Sequence, residues 1–293
     1  MSSKIYHKPV MPSESIELLL GDPSGIYIDA TLGAGGHSAE ILSKLGPKGR
    51  VIGLDQDINI MDLHRERYSK DNRLEVINEN FVNLDVVAYL RGIDQIDGIL
   101  FDVGLSSLQI DDPSRGFSYI KNGPLDMRMD RSNDLSAFEV VNGYEEEQLA
   151  DIIFKYGEER GSRRLAKEIV IERSKSAISE TLQLASIIKR ITRSKNFSSV
   201  KRVFQALRIE VNGELKFLEL ALEKSRKLLR SGGRIVVITF HSLEDRLVKR
   251  FFERLKIEGE FNVLTKKPLT PSMDEISENR RSKSAKLRGA IKI

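Results

Sequence analysis

The chain has 293 residues, of which 40% are hydrophobic and 31% are charged, as expected for a globular protein with a substantial core. It contains no cysteine, which excludes a disulfide framework, a thiolate zinc site and a cysteine nucleophile. Its four histidines are widely spaced, so we expect no metal site. The longest strongly apolar run, residues 235–238, is far shorter than the ~18 residues of a membrane span. We also find no signal-peptide-like start and expect a cytoplasmic protein.

The first hundred residues alternate between strand-like and helix-like segments. The predicted strands are residues 27–31, 50–55, 74–77 and 96–102, and helical stretches separate them. This alternation predicts βαβ units and a parallel sheet, so the fold class is α/β.

The alternation is interrupted and then resumes. Between about residues 110 and 203 we find no confident strand, and three helices are predicted at 149–156, 162–174 and 181–190. The later pattern predicts helices at 213–229 and 241–255 and strands at 234–240, 261–265 and 287–293. We therefore predict one α/β domain, residues 1–109 and 206–293, with a helical insertion at 110–205.

Charge is distributed unevenly along the chain. Residues 1–150 hold 14 Lys and Arg against 25 Asp and Glu, whereas residues 151–293 hold 33 against 18. Such asymmetry favours a basic surface that faces a polyanion, although scattered solvated charge is an equally good reading of charge alone.

A glycine-rich turn after the first strand is the strongest local signal. Gly33, Gly35 and Gly36 let the backbone turn sharply and let a ligand approach closely. Asp55 ends the second strand and can accept hydrogen bonds from ribose hydroxyls. The turn lacks the third glycine of a dinucleotide fingerprint, because Ser38 stands there, and no Walker lysine follows. The pattern therefore favours S-adenosylmethionine, with a ligand-free glycine turn as the alternative.

Asp102 ends the fourth strand, where amino-group methyltransferases commonly carry an Asp/Asn/Ser-Pro-Pro-aromatic motif. Acceptors on the hydrogens of an exocyclic amine draw its nitrogen toward tetrahedral geometry and restore its nucleophilicity. The sequence continues Val103-Gly104-Leu105, so it keeps the acid and lacks the prolines and the aromatic residue. The alternative is that Asp102 caps the next helix.

Two further groups of residues suggest contacts with RNA. Arg115, Phe117 and Tyr119 could stack a flipped base, although loop aromatics more often seal a core. Arg163 and Arg164 belong to a basic stretch, residues 151–208, with 14 Lys and Arg against 6 Asp and Glu. A second basic run lies at 280–288, and such residues suit phosphate contacts. Residues 123–130, with alternating charges, receive no assignment.

Taken together, these segments resemble the MraW (RsmH) family of ribosomal small-subunit cytosine N4-methyltransferases. The resemblance runs nearly end to end, in segments 6–10, 29–37, 102–109, 115–130, 159–163, 204–209, 239–245 and 281–288. One departure is Met11, where a leucine is expected.

The resemblance implies a Rossmann-like S-adenosylmethionine-dependent methyltransferase sheet with an inserted helical domain that recognises RNA. It implies methylation of a cytosine N4 in the decoding region of bacterial 16S rRNA, as free RNA or in the small subunit. The implied cofactor contacts are Gly35, Gly36, His37, Asp55, Phe81, Asp102 and Gln109. His241 is a second candidate catalytic residue beside Asp102, with a helix-start role as its alternative.

Two other functions stay open. A nicotinamide-dependent oxidoreductase is disfavoured by Ser38, and an RNA-binding protein without turnover would use the same basic surface. The sequence leaves the oligomeric state open, a homodimer included.

Overall fold

In a computed structural model of the chain, residues 9–61, 71–192 and 197–293 are described, so residues 6–8 of the first family segment lie outside this part. The chain divides into two units: residues 1–104 with 215–293, and residues 105–214. We call these the sheet unit and the helical unit. Their boundaries differ from the predicted 109/110 and 205/206, because the helix Ser198–Asn212 packs with the helical unit.

The sheet unit is built on a seven-stranded sheet. Its strands, numbered along the chain, are β1 (Ile26–Asp29), β2 (Arg50–Asp55), β3 (Leu74–Asn78), β4 (Ile96–Asp102), β5 (Leu229–Thr239), β6 (Phe261–Val263) and β7 (Lys286–Lys292). Across the sheet they lie in the order β3-β2-β1-β4-β5-β7-β6. The first five strands pair in parallel, whereas β7 is antiparallel to both β5 and β6. The sheet differs from the 3-2-1-4-5-6 order of dinucleotide-binding domains by this inserted antiparallel strand.

Apolar runs place the central strands between two layers. All residues of β4 except its two aspartates are buried, as expected for a parallel strand covered on both faces. One apolar cluster contains Ile99 and Phe101, and the other contains Leu100, Val236 and Ile238. Alternation along β4 and β5 therefore sends successive side chains into opposite layers.

The helices of the described residues are, in chain order, α1 (Pro12–Leu19), α2 (Gly36–Lys44), α3 (Leu84–Leu90), α4 (Ser107–Asp111), α5 (Ala137–Gly143), α6 (Glu146–Gly157), α7 (Ser162–Lys175), α8 (Thr181–Thr192), α9 (Ser198–Asn212), α10 (Glu214–Leu228), α11 (Ser242–Ile257) and α12 (Met273–Glu278). Short 3-10 turns lie at Phe81–Asn83, Pro113–Arg115 and Arg280–Ser284. In the described ranges, no helix has the length and apolar character needed to cross a membrane.

Residues 123–130 form an irregular segment, with Met127 in a left-handed conformation, that contributes to the core of the helical unit. Leu125, Met127 and Met129 are buried among its helices, and the charged residues between them are only partly buried. Asn212, at the end of α9, fixes this segment. Its side chain accepts from the Met129 N–H and donates to the Met127 carbonyl, each over 2.8 Å. The charged residues thus alternate with the buried Leu125, Met127 and Met129 and are only partly buried.

Candidate active site

The glycine turn between β1 and α2 is held in a left-handed conformation. Gly33 has φ +48° and Gly35 has φ +75°, which favour glycine because a Cβ is strained there. The Gly35 N–H donates to the Leu32 carbonyl over 2.7 Å, and α2 begins at Gly36. At its glycines, the turn therefore presents only backbone atoms at the carboxyl end of β1.

Asp55 ties this turn to the end of β2. Its carboxylate accepts from the backbone N–H groups of Gly33 and Asp57, each over 2.9 Å. Burial raises the pKa of Asp55 to about 6, and these two hydrogen bonds oppose that rise. Each carboxylate oxygen has a second lone pair, so Asp55 retains acceptor capacity for hydroxyl donors such as those of a ribose.

Ser38 occupies the place of the third dinucleotide glycine and has a structural partner. Its hydroxyl donates to Asp29 Oδ2 over 2.7 Å, and Asp29 is fully buried at the end of β1. Asp29 was not assigned from the sequence, although an acid at a strand end beside glycines could have indicated it. This bond fixes α2 against β1 in a way that a glycine could not.

Asp102 lies at the end of β4, the neighbour of β1 on its other side. Its backbone N–H donates to Thr31 Oγ1 over 2.6 Å. Its Oδ1 is buried and has no hydrogen-bond partner among the described residues. Burial raises the pKa of Asp102 to about 6; His37 lowers the pKa, and Asp29 and Glu244 raise it. A buried acceptor without a donor is costly, so this atom suits a ligand that brings an N–H or O–H.

His37 connects the start of α2 to Asp102. Its Nε2 lies 2.9 Å from the Val10 carbonyl oxygen, and its Nδ1 lies 3.6 Å from Asp102 Oδ2. Because a carbonyl only accepts, Nε2 carries the proton of this hydrogen bond. His37 therefore turns its other nitrogen toward Asp102 and is only 4% exposed.

Phe81 lies in the 3-10 turn that follows β3. Its ring meets that of Phe101 edge to face, with centroids 5.7 Å apart and planes at 86°. Asn80 accepts from the Val82 N–H over 2.9 Å and fixes the turn. Phe81 is half-buried, and its contact with the cofactor stays a prediction.

His241 stands at the N-cap of α11. Its Nδ1 accepts from the Glu244 N–H over 3.3 Å, and its Nε2 lies 3.0 Å from Glu244 Oε1. The Glu244 carboxylate in turn accepts from the N–H groups of Phe240 and His241. This arrangement is the helix-start role that the sequence left as an alternative; a catalytic role for His241 stays a prediction.

The predicted base-stacking group packs within the helical unit. Arg115 and Phe117 are 5% and 7% exposed, and the Arg115 guanidinium donates to the carbonyls of Arg128 and Met129. Tyr119 packs against Phe197 and Phe204, with ring centroids 5.6 and 5.8 Å apart. Arg115 and Phe117 are buried and Tyr119 is partly buried, and contacts of these three residues with a base stay a prediction.

Gln109 and the basic residues lie elsewhere in the helical unit. The Gln109 side chain accepts from the Ser106 N–H over 3.1 Å and closes a capping box at α4. Ser106 thus caps α4, and Asp102 does not. Arg163 and Arg164 are exposed in the first turn of α7. The cofactor contact of Gln109 and the RNA contacts of both arginines stay predictions.

Part of the C-terminal basic run, residues 280–288, forms ion pairs within the protein. Asp245 accepts from Lys286 Nζ over 2.9 Å and from Arg288 Nε over 2.7 Å, and both partners hold its pKa below the usual range. Arg288 is buried, whereas Arg280 and Lys283 are exposed. Only part of this run is therefore open to a phosphate.

The structure brings Gly33, His37, Asp55 and Asp102 together at the carboxyl edge of the sheet. The strand order reverses between β1 and β4, which makes this edge the topological switch point where open α/β sheets bind ligands. The fold and site define an α/β protein with a candidate site for a nucleoside-containing cofactor, and this site has no Walker lysine to bind phosphates. The glycine turn and Asp55 fit S-adenosylmethionine, which supplies, when bound, a methyl group already activated on a sulfonium sulfur.

Comparison with known proteins identifies the family. Residues 4–293 match the model of the MraW methylase family. The chain is 49% identical to the ribosomal RNA small subunit methyltransferase H of Caldicellulosiruptor saccharolyticus, over 98% of this chain and 99% of that protein. It is 46% identical to the protein of that name from Fusobacterium nucleatum, over 97% and 96% of the two chains. The chain therefore belongs to the MraW methylase family, and its fold is the Rossmann-like methyltransferase type with a helical insertion.

Proposed function

We propose that this chain transfers a methyl group from S-adenosylmethionine to the N4 amine of a cytosine in the decoding region of bacterial 16S rRNA. The observation that carries the proposal is the buried Asp102 Oδ1, which has no partner in the described residues and lies at the switch point. Full-length similarity to small-subunit rRNA methyltransferases supports the substrate class. The proposed substrate places the reaction in the cytoplasm.

The residues of this edge have distinct tasks in the proposed reaction. Asp55 and the backbone of the glycine turn bind the nucleoside part of the cofactor, and Phe81 packs on its adenine. Asp102 accepts an N–H from the cytosine amine, which holds the nitrogen in line for attack and raises its nucleophilicity. Such orientation of two reactants can supply roughly 7–11 kcal/mol of the barrier.

His37 lies beside the carboxylate of Asp102 and limits its movement by contact. Nδ1 of His37 lies 3.6 Å from Oδ2, and Oδ1 is the carboxylate oxygen that has no hydrogen-bond partner among the described residues. The Val10 carbonyl fixes the imidazole through its other nitrogen, so the ring presents the same atom to Asp102 throughout. We therefore assign His37 to positioning of Asp102 as well as to the cofactor pocket.

The helical unit is proposed to bind the RNA backbone. The unit as a whole is nearly neutral, with 18 Lys and Arg against 17 Asp and Glu in residues 105–214, so its affinity must come from local charge. The first turn of α7 supplies it, since Arg163 and Arg164 are exposed there and the turn contains no acid. Two arginines at a helix N-terminus oppose the helix dipole, and a bound phosphate would relieve that conflict.

The nicotinamide alternative loses support from the structure. The third glycine of a dinucleotide turn is replaced by Ser38, whose hydroxyl bonds Asp29, and β7 runs antiparallel within the sheet. Titration calorimetry with S-adenosylhomocysteine and with NAD separates the two functions. Binding of S-adenosylhomocysteine alone is the expected result, and binding of NAD alone would overturn the proposal.

Transfer of a labelled methyl group to small ribosomal subunits and to free 16S rRNA, each lacking the modification, tests the substrate class. Incorporation into either substrate supports the proposal. Tight S-adenosylhomocysteine binding without incorporation into either one would leave the cofactor assignment and overturn the rRNA assignment.

A further inference from the structure

The loop that carries Asp102 has no aromatic residue to hold a base. Val103 and Gly104 follow the acid, in place of the prolines and the aromatic residue common in amino methyltransferases. A carboxylate that accepts from one amine fixes the edge of a base but not the tilt of its ring. Flat aromatic side chains fix that tilt by stacking, which every base accepts because each has a π face.

The neighbouring strand places an aromatic residue beside this loop. In the parallel pair of β4 and β5, Leu100 aligns with Val236 and Asp102 aligns with Ile238. Two residues further along each chain, on the same face, Gly104 lies beside Phe240. A Cβ built on Gly104 would lie 3.5 Å from Phe240 Cδ2, so the ring is in van der Waals range of that position.

Phe240 and Asp102 lie on the same face of the sheet. Leu100, Val236 and Ile238 belong to one apolar cluster, and Phe240 packs at its border. Side chains two residues apart on a strand share a face, which puts Asp102 beyond Leu100 and Phe240 beyond Ile238. The Asp102 contact with His37 agrees, since α2 contributes Ile41 and Leu42 to this same cluster.

The ring of Phe240 is partly open, and its backbone is fixed. The residue is half-buried, and Gly104, with φ +120°, places no side chain over it. The Phe240 N–H donates over 2.8 Å to the carboxylate of Glu244, which is 2% exposed. The family segment 239–245 thus contains a capping motif that holds an aromatic ring at the carboxyl edge.

The other aromatic candidates are engaged elsewhere. Phe117 and Tyr119 pack inside the helical unit. Phe81 meets Phe101, whose cluster fills the opposite layer of the sheet unit. Two aromatic side chains therefore flank the carboxyl edge on opposite faces, Phe81 on the predicted adenine side and Phe240 on the side of Asp102.

We infer that Phe240 supplies the aromatic surface on which the target base lies while Asp102 holds its amine. Phe240, which directly follows β5, would thus serve as the aromatic residue that is absent after Asp102. This inference rests on the proposed function and names the base subsite within it.

Aromatic and aliphatic replacements of Phe240 test the inference in the full-length protein. The substrate is small subunits lacking the modification, and both S-adenosylhomocysteine affinity and thermal unfolding are measured in parallel. We expect Phe240→Tyr and Phe240→Trp to keep most activity. Phe240→Leu and Phe240→Met should lower kcat/KM by about 5- to 150-fold, mainly through KM, which corresponds to the loss of one stacked base. Their S-adenosylhomocysteine affinity should stay unchanged.

Phe251→Leu is the matched control, since it truncates a buried ring of the other cluster. It should reduce stability without a specific rise in KM for subunits. If the aliphatic Phe240 variants behave like Phe251→Leu, or lose cofactor binding, Phe240 is a packing residue and the inference is wrong. An inactive wild-type chain would instead contradict the proposed function, so the two failures are distinguishable.

Discussion

The backbone N–H of Gly33 donates to Asp55 Oδ2 over 2.9 Å and joins the turn after β1 to the acid that ends β2. Because Gly33 has φ +48°, a side chain at this position strains the turn by roughly 1–2 kcal/mol. The geometry of the turn and the orientation of Asp55 should therefore change together.

Gly33→Ala tests this coupling. We expect S-adenosylhomocysteine affinity to fall by roughly 5- to 30-fold, the equivalent of that strain, in titration calorimetry. Gly92→Ala is the matched control, because Gly92 also has positive φ, +64°, with open space around its Cβ position. It should lose similar stability and keep cofactor affinity. Equal losses of S-adenosylhomocysteine affinity in both variants would show that the glycine turn does not contribute specifically to cofactor binding.

Asp102→Ala removes the acceptor for the target amine. We expect methyl transfer to fall by about 10²–10⁴-fold, and RNA affinity to stay nearly intact because phosphate contacts lie elsewhere. Asp102→Asn keeps one acceptor oxygen and should retain more activity than Asp102→Ala. Rates are measured with labelled cofactor, and affinity by filter binding. Full activity of the alanine variant would remove Asp102 from the reaction.

The raised pKa of Asp102 predicts a pH-dependent cost to stability. Burial raises it from 3.8 to about 6, so the folded state disfavours the ionised form. This cost is absent below pH 3.8, grows as pH rises, and is complete above pH 6. Asp102→Asn should therefore raise the free energy of unfolding at pH 8 by up to about 3 kcal/mol, at about 1.4 kcal/mol per pKa unit.

Urea denaturation of the cofactor-free protein at pH 8 and pH 5 measures this difference. The gain of Asp102→Asn over wild type should shrink at the lower pH, where wild-type Asp102 becomes protonated. Asp94→Asn replaces an exposed acid and should show no such change. A gain that is the same at both pH values would mean that the charge of Asp102 is not its source.

Arg163→Glu combined with Arg164→Glu tests the RNA surface of the helical unit. Binding of 16S rRNA should weaken, and the slope of log K against log salt should flatten by about one for each lost phosphate contact. Lys44→Glu with Lys48→Glu makes the same charge change at exposed positions, one at the end of α2 and one in the loop before β2, and serves as the control. An unchanged slope in the arginine variant would place the RNA surface elsewhere.

The central strands could be predicted from sequence because their signals are local. Strands at 50–55 and 96–102 have the predicted bounds, since each is a buried apolar run that ends in an acid. β5 begins at Leu229 and not at the predicted residue 234. Ser231-Gly232-Gly233 resembles a turn, yet Leu229 pairs with Ile96 before the register shifts. Helix α5 was missed because its seven residues are too few for a clear periodic pattern.

Contacts between residues far apart in the sequence limit how much of the site could be predicted. The glycine turn, Asp55 and Asp102 follow from the rule that strand ends converge in a parallel sheet. The partners of Met129 could not be predicted, because Asn212 lies 83 residues away in sequence. Burial of Arg115 and Phe117 depends equally on packing with distant helices, which the sequence motif alone does not show.

The most direct test is nucleoside mass spectrometry of small subunits and free 16S rRNA, each lacking the modification, after incubation with the protein and S-adenosylmethionine. The account predicts N4-methylated cytidine in one of them, and its strong reduction with Asp102→Ala. A methyl group on another base, on a ribose or on the C5 atom of cytosine would contradict the proposed reaction at Asp102.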